Sequence, residues 1–429
     1  MIFHIDADSF YAACEQIFRP DLREKPIAVL SNNDGVTISL NRQCKSLGFH
    51  RGDPYFKMKY DYKTKGVFVF SSNYTLYADI SRRVNLLYDS FCAEVEQYSI
   101  DESFLLFPDW ADENYTELAE SIRSAVRQQI HIPVSVGIAP TKTLAKLCNK
   151  RAKLYGGICD WNKIDHTDIL RTCPASDIWG IGKSKEALLA RNGVKTALDL
   201  KNFPLARAKK YLTITGYKTV RELNETPSLA LADISCRKNI TVSRSSARGM
   251  TDIREIETAL SEYTQLAVER MRNENSACRT VSVSVMTARP YDISDSTKTY
   301  RNSAAAVLSV PTSYLPDILG AAIKLLHSVY RSGFSYRKIM INLLMLEPDR
   351  IDQQELFATD TDLYREKTAA VMKACDQICR KYGRGTLHTG IRNQVKDVQK
   401  DGSAAAWMMN RSFLSPEYTT RLADLPEVS

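Results

Sequence analysis

The sequence lacks the features that mark membrane, secreted and disulfide-rich proteins. It has no run of about 18 apolar residues that could span a bilayer. Acidic residues at positions 6 and 8 also interrupt the N-terminus before a signal-peptide core could form. The ten cysteines are scattered and contain no CxxC pair, so they indicate neither a disulfide framework nor a closed zinc site. These absences predict a cytosolic protein without a membrane partner.

Length and charge suggest a chain of several domains. At 429 residues the chain exceeds a single compact core, which predicts roughly two to four domains. The net charge is +8, and residues 237–346 hold 15 Lys and Arg against 9 Asp and Glu, a surplus of 15 − 9 = +6. Such a module either binds a polyanion or is an ordinary solvated basic surface.

Carboxylates are concentrated in two short motifs beside apolar, strand-like runs. Asp6 and Asp8 follow residues 2–5, and Asp101 and Glu102 follow residues 95–98. Carboxylate oxygens held by a strand are rigid, hard ligands of the kind that Mg²⁺ prefers. The two motifs predict a metal-dependent phosphoryl-transfer site if they meet in space.

The pattern along the chain divides it into four parts. Residues 1–165 alternate between short strands and helices, with helical apolar spacing over residues 115–130, which predicts an α/β layer. Residues 166–236 change to short helices, and Gly180 and Gly182 precede a helix at Lys183 whose first amides could face a DNA phosphate. A plain turn between helices gives the same pattern. Residues 237–346 predict a small α+β domain, because residues 241–245 and 280–285 alternate like strands and residues 256–271 carry an apolar helical stripe that is expected in the core. Residues 347–429 are polar and rich in loops.

One apolar pair stands out in the last part. Leu356 and Phe357 lie in a charged neighbourhood, where they are either a peptide anchor for a partner or a pair that folds back onto a neighbouring helix.

Ordered motifs resemble those of the Y-family translesion DNA polymerases. They lie at residues 6–12, 31–35, 98–102, 136–146 and 179–182. Within that family the chain is similar to the UmuC subfamily, including the tail at residues 414–421. The resemblance implies an α/β multidomain fold shaped as a right hand. Palm and fingers would lie within residues 1–165, a small helical thumb with a helix-hairpin-helix within 166–236, a DNA-binding α+β little finger within 237–346, and a C-terminal tail within 347–429.

The resemblance also implies the metal ligands. Asp6 and Asp101 would bridge two Mg²⁺ ions, with Glu102 on one ion and the Ala7 carbonyl on the other. Asp8 does not match a family ligand, and its place just before a helix predicts an N-terminal cap.

The nucleotide contacts are implied in the same way. Tyr11 lies where the family keeps the bulky residue that excludes a ribose 2′-hydroxyl. The triphosphate contacts would be Lys45, Lys153 and Arg42. Val36 and Ile38 would form the roof over the templating base, while Gly180, Gly182 and Lys183 would contact the DNA backbone.

The implied function is error-prone, template-dependent DNA synthesis past lesions in the bacterial SOS response, without proofreading. The partners would be primer-template DNA, dNTP, the sliding β clamp through Gln353, Leu356 and Phe357, a UmuD′-like dimer and a RecA filament. One alternative is a catalytically silent DNA-binding scaffold that displaces the replicative polymerase or engages RecA. A nucleotidyl cyclase is another, although it has little use for the thumb-like segment.

Overall fold

The computed structural model describes residues 1–108, 114–231, 237–287, 299–349, 361–383, 386–387 and 410–425. The chain divides into two compact units, one of Met1–Asp233 with Asn410–Ser429 and the other of Ile234–Met409. Over the described ranges, none of the helices combines the length and apolar character needed to cross a bilayer.

Two sheets organise the first unit. Its strands are β1 (Ile2–Ala7), β2 (Ile27–Leu30), β3 (Thr37–Leu40), β4 (Phe68–Ser71), β5 (Val95–Gln97), β6 (Glu102–Leu106), β7 (Val134–Ala139) and β8 (Ile158–Asp160). The strand order is β5-β6-β1-β7-β8 in one sheet and β3-β2-β4 in the other. Strand β1 lies between β6 and β7 and is antiparallel to both. The first acidic motif is therefore in the middle of the larger sheet.

Helices of the first unit cover both faces of the larger sheet. They are α1 (Phe10–Ile17), α2 (Arg42–Ser46), α3 (Tyr55–Thr64), α4 (Tyr74–Asp89), α5 (Tyr115–Gln129), α6 (Lys142–Ala152), α7 (His166–Thr172), α8 (Lys183–Arg191), α9 (Ala197–Lys201), α10 (Leu205–Tyr211) and α11 (Thr213–Leu223). Phe3 and Ile5 point into the core shared with α1, α4 and α5. Because side chains alternate along a strand, Ile2, His4 and Asp6 share the opposite face, where Ile2 packs with residues of α6.

Helix α6 approaches β7 closely at Gly137. A Cβ atom at this position would lie 2.1 Å from the Ala145 carbonyl oxygen and 2.3 Å from the Asn149 amide nitrogen. Asn149 in turn donates hydrogen bonds to the carbonyl oxygens of His4 (3.0 Å) and Ser135 (2.6 Å). The absence of a side chain at Gly137 thus lets α6 lie directly over β1 and β7, beside Asp6.

The second unit is an α+β layer. It contains β9 (Asn239–Met250), α12 (Ile253–Asn273), β10 (Ser276–Met286), β11 (Arg301–Thr312), α13 (Leu315–Val329), β12 (Tyr336–Pro348) and α14 (Thr361–Tyr382). Its sheet has the order β11-β10-β12-β9. The predicted strand alternation at residues 241–245 and 280–285 is confirmed. The apolar stripe of α12, which runs from Ile256 to Met271, forms the core as predicted.

Candidate active site

The two acidic motifs meet at the pairing of β1 with β6. Asp6 lies directly opposite Glu102 in this antiparallel register, and the Ala7 amide donates a 2.9 Å hydrogen bond to the Asp101 carbonyl oxygen. Asp101 lies in the tight turn between β5 and β6, where the Ser99 hydroxyl donates to its Oδ1 at 2.6 Å. The second motif is thus a hairpin turn rather than a strand end, and strand pairing places it beside the first motif at the end of β1 in the larger sheet.

Burial and mutual repulsion act together on Asp6. Loss of solvent is the largest influence that raises the pKa of Asp6, and the neighbouring carboxylates of Glu102 and Asp101 raise it further, while Lys153 opposes the shift. A group of acids that repel one another in a partly desolvated position needs positive charge nearby.

Two lysines of the α6 region supply that charge. Lys153 Nζ lies 2.5 Å from Asp6 Oδ1, and Lys146 Nζ lies 2.9 Å from Glu102 Oε2. Lys146 also stands 4.4 Å from the ring centroid of Tyr98 and 5.1 Å from that of Trp179. The aromatic faces favour the ammonium ion and fix its position beside Glu102.

The three carboxylates fit a hard divalent cation by their chemistry. In the described part of the chain, the structure shows no group of three or more His, Cys, Asp or Glu side chains gathered closely enough to hold a metal ion. Asp6, Glu102 and Asp101 instead face Lys153, Lys146 and Ser99 respectively. The ammonium ions stand where positive charge is needed, and carboxylate oxygens are the hard donors that Mg²⁺ prefers. Their role as metal ligands stays a prediction.

The prediction that Asp8 caps a helix is wrong. Helix α1 begins after Ser9, which takes the N-cap position in the left-handed region (φ 52°), and no side chain caps this end. Asp8 Oδ2 instead accepts a 2.9 Å hydrogen bond from Ser135 Oγ, and its Oδ1 lies 3.9 Å from Lys153 Nζ. The left-handed turn at Ser9 directs Asp8 towards β7, away from the first amides of α1.

Tyr11 lies in an aromatic group on α1. Its ring stacks on Tyr77 with centroids 4.6 Å apart and meets Tyr74 edge-on at 5.9 Å. Both partners belong to α4, so α4 determines where the Tyr11 ring lies. The predicted role of Tyr11 in sugar selection needs this kind of rigid support.

The predicted triphosphate contacts lie on α2, which carries Arg42 and Lys45, and at the end of α6, where Lys153 follows the helix. Lys45 Nζ on α2 donates to Ser9 Oγ at 3.0 Å, and Lys153 contacts Asp6 as described above. Arg42 is exposed and lines a cavity of about 770 Å³ that also includes Asp8 and Arg123. The structure therefore gathers the predicted cations near Asp6 and Asp8, while their contact with a triphosphate stays a prediction.

The predicted roof residues lie at the start of β3 in the smaller sheet, with Val36 just before this strand and Ile38 within it. Val36 is 37% exposed and its amide donates to Ser31 Oγ at 3.1 Å. Ile38 is partly buried against the core that contains Tyr77. Val36 is thus free to meet another molecule, whereas Ile38 anchors β3.

The glycine-rich segment forms the start of α8. Gly180 adopts φ +89°, which favours glycine, and a Cβ there would lie 3.2 Å from Thr219 Oγ1. Gly182 is the N-cap of α8 without a side-chain cap, and Lys183 follows it, exposed. The first amides of α8 therefore have no side-chain partner at the N-cap, as an anion site needs. Contact with a DNA backbone stays a prediction.

The sheet of the second unit presents one polar face. Thr241 pairs with Asn342 across β9 and β12, with a 2.8 Å side-chain hydrogen bond, and Ser282 lies on the other side of Asn342. In the next row Ser284 pairs with Ser303. The helices pack on the opposite, apolar face. Hydroxyl and amide groups in rows suit contacts to phosphates.

The predicted clamp-binding residues Gln353, Leu356 and Phe357 lie outside the described residues. Two other residues near the carboxylates were not singled out from the sequence. His4 is buried, with its Nε2 4.0 Å from Glu102 Oε1, and burial lowers its pKa. Lys146 lies inside a motif used for the resemblance. Strand pairing places His4 near Glu102, and the packing of α6 over β1 and β7 places Lys146 there; the sequence reveals neither arrangement.

Comparisons with known proteins agree with this geometry. The impB/mucB/samB family matches residues 5–150, its C-terminal domain matches residues 237–356, and a domain of unknown function (DUF4113) matches residues 369–428. The chain is 38% identical to the protein UmuC of Salmonella typhimurium over 99% of both chains. It is 26% identical to DNA polymerase IV of Moorella thermoacetica over 93% of this chain and 97% of that protein.

The fold is also that of solved polymerases. A Y-family DNA polymerase chimera of Dbh and Dpo4 matches with a TM-score of 0.64 at 20% identity, over 80% of this chain and 98% of the chimera. This likeness confirms the predicted fold class, while the boundaries of palm, fingers, thumb and little finger stay predictions. With the identity to UmuC along the whole length, it follows that the chain belongs to the impB/mucB/samB family of Y-family DNA polymerases.

Proposed function

We propose that this protein is a template-dependent DNA polymerase that performs error-prone translesion synthesis, adding dNTP to a primer by two-metal nucleotidyl transfer. The observation that carries the proposal is the pairing of β1 with β6, which places Asp6 opposite Glu102 and beside Asp101. Family membership supports it, because relatives of this chain are named as DNA polymerases.

The proposed site has distinct roles for metal binding and for substrate positioning. Asp6, Asp101, Glu102 and the Ala7 carbonyl would hold two Mg²⁺ ions. When bound, such ions stabilise both the attacking and the leaving oxygen of an in-line displacement. The protein's own contribution is positioning and charge neutralisation.

The surrounding residues would bind the substrates. Lys153 and Lys45 would neutralise the triphosphate, and Arg42 would contribute from the cavity it lines. Tyr11, supported by Tyr77, would collide with a ribose 2′-hydroxyl. Val36 would cover the templating base.

Further partners follow from the same proposal. Gln353, Leu356 and Phe357 would dock on the sliding β clamp, and a UmuD′-like dimer and a RecA filament would join the enzyme during the SOS response. The polymerase would then act in the cytoplasm, on the nucleoid.

The decisive test is primer extension by Asp101→Asn. We expect at least about a thousandfold loss of extension with Mg²⁺ and dNTP, because the variant removes a carboxylate that would hold the two cations. Affinity for primer-template, measured by fluorescence anisotropy, should stay the same. The control is Asp21→Asn, since Asp21 is an exposed partner of Arg19.

Two results would contradict the proposal. Full extension by Asp101→Asn would show that the carboxylate of Asp101 is not needed for catalysis. Wild-type protein that binds DNA but never extends a primer would favour the silent scaffold, an alternative that the pairing of Asp6 with Glu102 beside Asp101 argues against.

A further inference from the structure

Residues 410–418 return to the first unit after the second unit has been formed. They lie in the part of the chain that matches a domain of unknown function, and they group with Met1–Asp233 rather than with the preceding residues. We name residues 410–418 the returning segment. Its contacts join positions up to 378 residues apart, so they are tertiary contacts that local sequence cannot dictate.

The returning segment first contacts the loop that leads to Val36. Asn33 (φ 60°) and Asp34 (φ 49°) are both in the left-handed region. This conformation costs free energy, which contacts with the surrounding structure must offset. The Asn410 amide donates to Asn33 Oδ1 at 3.0 Å, and the Ser412 amide donates to Asp34 Oδ2 at 2.8 Å. The segment therefore stabilises the strained part of this loop.

The segment next extends the edge of the smaller sheet. The Ser71 amide at the end of β4 donates to the Phe413 carbonyl oxygen at 2.9 Å, and the Phe413 amide donates to Ser71 Oγ at 2.9 Å. Ser71 Oγ itself donates to Asp34 Oδ1 at 2.6 Å. The Phe413 ring meets Tyr55 edge-on with centroids 5.5 Å apart. One residue of the segment thus joins β4, the loop and α3.

The segment then reaches the helix behind Tyr11. Asn73 is the N-cap of α4, and its Nδ2 donates to Ser415 Oγ at 3.0 Å. The next residues of α4 include Tyr74 and Tyr77, whose rings contact Tyr11. The start of α4, which supports Tyr11, is therefore held by the returning segment.

The last contact is with the end of α1. Tyr418 is 8% exposed and stacks on Phe18, with centroids 4.5 Å apart and ring planes 14° from parallel. Phe18 directly follows α1, the helix that carries Tyr11. Both helices of the Tyr11 aromatic group thus contact the same segment.

We propose that the returning segment is a positioning element of the polymerase site, which holds the loop of Val36 and the aromatic support of Tyr11. The segment contains no catalytic residue and acts through these neighbours. The proposal rests on the proposed function, and it gives the domain of unknown function a role within its own chain. If the contacts of the segment are weakened, the Tyr11 ring is more easily displaced, so ribonucleotides enter the site more readily. The KM for dNTP should then rise by a larger factor than kcat falls.

The test uses the full chain with Phe413→Ala and Tyr418→Ala. We expect the ratio of ribonucleotide to deoxyribonucleotide incorporation to rise on the order of tenfold, because small displacements of a positioning group have effects of this size. Tyr11→Ala, which removes the ring itself, gives the largest increase in this ratio that loss of the Tyr11 ring can produce. Tyr418→Phe, which keeps the stacked ring, and Leu414→Ala, whose side chain is 40% exposed, should behave as wild type.

Hydrogen exchange of the same full-length proteins gives a readout that does not depend on activity. Amides of residues 31–36 and Ser71 should exchange faster in the two alanine variants than in Leu414→Ala. Ser415→Ala, which removes a single hydroxyl, keeps the test available if an aromatic variant does not fold.

The outcomes are separable. Faster exchange with unchanged sugar discrimination and unchanged KM overturns the positioning role, and unchanged exchange overturns the docking itself. If wild-type protein never extends a primer, the proposed function fails, whereas the exchange comparison still decides whether the segment docks.

Discussion

Buried ionisable side chains in the first unit differ in how well their neighbours compensate their charge. Lys142, with a side chain 3% exposed, contacts the carboxylate of Glu96. Glu222 is fully buried and accepts hydrogen bonds from backbone amides. Glu15, 1% exposed, receives a 2.6 Å hydrogen bond from the Tyr77 hydroxyl. Loss of solvent outweighs this bond and raises the pKa of Glu15 to about 7.

A pH-dependent stability follows for Glu15. The pKa of the folded protein lies above the ordinary value of 4.5, so the native state binds the proton more tightly than the unfolded chain. The stabilisation is complete below pH 4.5 and is lost as the pH rises through about 7. We expect this group to remove about 3 kcal/mol of unfolding free energy across that range. Urea unfolding of wild type and Glu15→Gln between pH 4.5 and 8 measures the difference.

The comparison isolates one group because all other acids titrate in both proteins. Glu15→Gln keeps an acceptor for Tyr77 and cannot ionise, so its stability relative to wild type should improve as the pH rises. The exposed Glu117→Gln on α5 is the matched control and should run parallel to wild type. If the unfolding free energies of Glu15→Gln and wild type also change in parallel with pH, Glu15 ionises in the folded protein without loss of stability.

At the scale of elements, one carboxylate joins the helical part of the first unit to α6, the helix that packs on the larger sheet. Glu222 on α11 accepts the Thr143 amide at the start of α6 (2.9 Å) and the amides of Ser228 (2.9 Å) and Leu229 (3.0 Å). A carboxylate at a helix N-terminus is favoured by both hydrogen bonding and the helix dipole. Lys146 lies on α6 and Lys153 directly follows it, so we expect the contacts of Glu222 to influence the position of both lysines in the candidate site.

We expect Glu222→Ala to lower the unfolding free energy of the first unit by about 3 kcal/mol, because it leaves buried amide donors without their acceptor. Glu222→Gln, which keeps one oxygen acceptor, should lose less. Denaturant unfolding followed by tryptophan fluorescence, in proteins that all carry Trp407→Phe so that no tryptophan of the second unit contributes, reports on this unit. The control is Glu186→Ala, at an exposed position on α8. If Glu222→Ala loses no more unfolding free energy than this control, the hydrogen bonds of Glu222 do not stabilise the first unit.

Local periodicity predicted several elements correctly. The alternation of β9 and β10 and the apolar stripe of α12 depend on neighbours a few positions apart, and the structure confirms them. The helix after Ser9 and the one that starts at Tyr115 are confirmed for the same reason. These signals are local, so a single sequence contains them.

Other features depend on contacts between distant positions. The carboxylate motifs were visible, but their meeting depends on the register of Asp6 with Glu102. The partner of Asp8 is Ser135, 127 positions away, and the apparent helix cap was the wrong alternative. The contact of Asn73 with Ser415 spans 342 positions. No periodicity in the sequence encodes such pairs, which only the folded arrangement determines.

At the scale of the whole molecule, the proposed catalytic carboxylates and the basic surface proposed to bind DNA fall in different units. The acidic site lies in the first unit, and the positive surplus lies in residues 237–346. On the polar face of the second unit, Arg301 and Lys338 are both cross-strand neighbours of Met286. Lysine and arginine beside rows of hydroxyl groups can neutralise successive phosphates, which makes binding dependent on salt rather than on base sequence.

This arrangement predicts a specific change in salt dependence. The double variant Arg301→Ala/Lys338→Ala should lower the slope of log affinity against log salt by about 2, since each lost phosphate contact removes about 0.9. Affinity for primer-template, measured by anisotropy over a series of salt concentrations, gives the slope.

The matched control is Arg270→Ala/Lys324→Ala, which removes the same charge from exposed positions on α12 and α13. These helices cover the opposite face of the sheet, so the slope should stay that of wild type. An equal fall of the slope in both double variants would mean that DNA responds to the net charge of the unit. A fall in the sheet variant alone means that phosphates lie along the polar face, close enough for individual side chains to displace counterions.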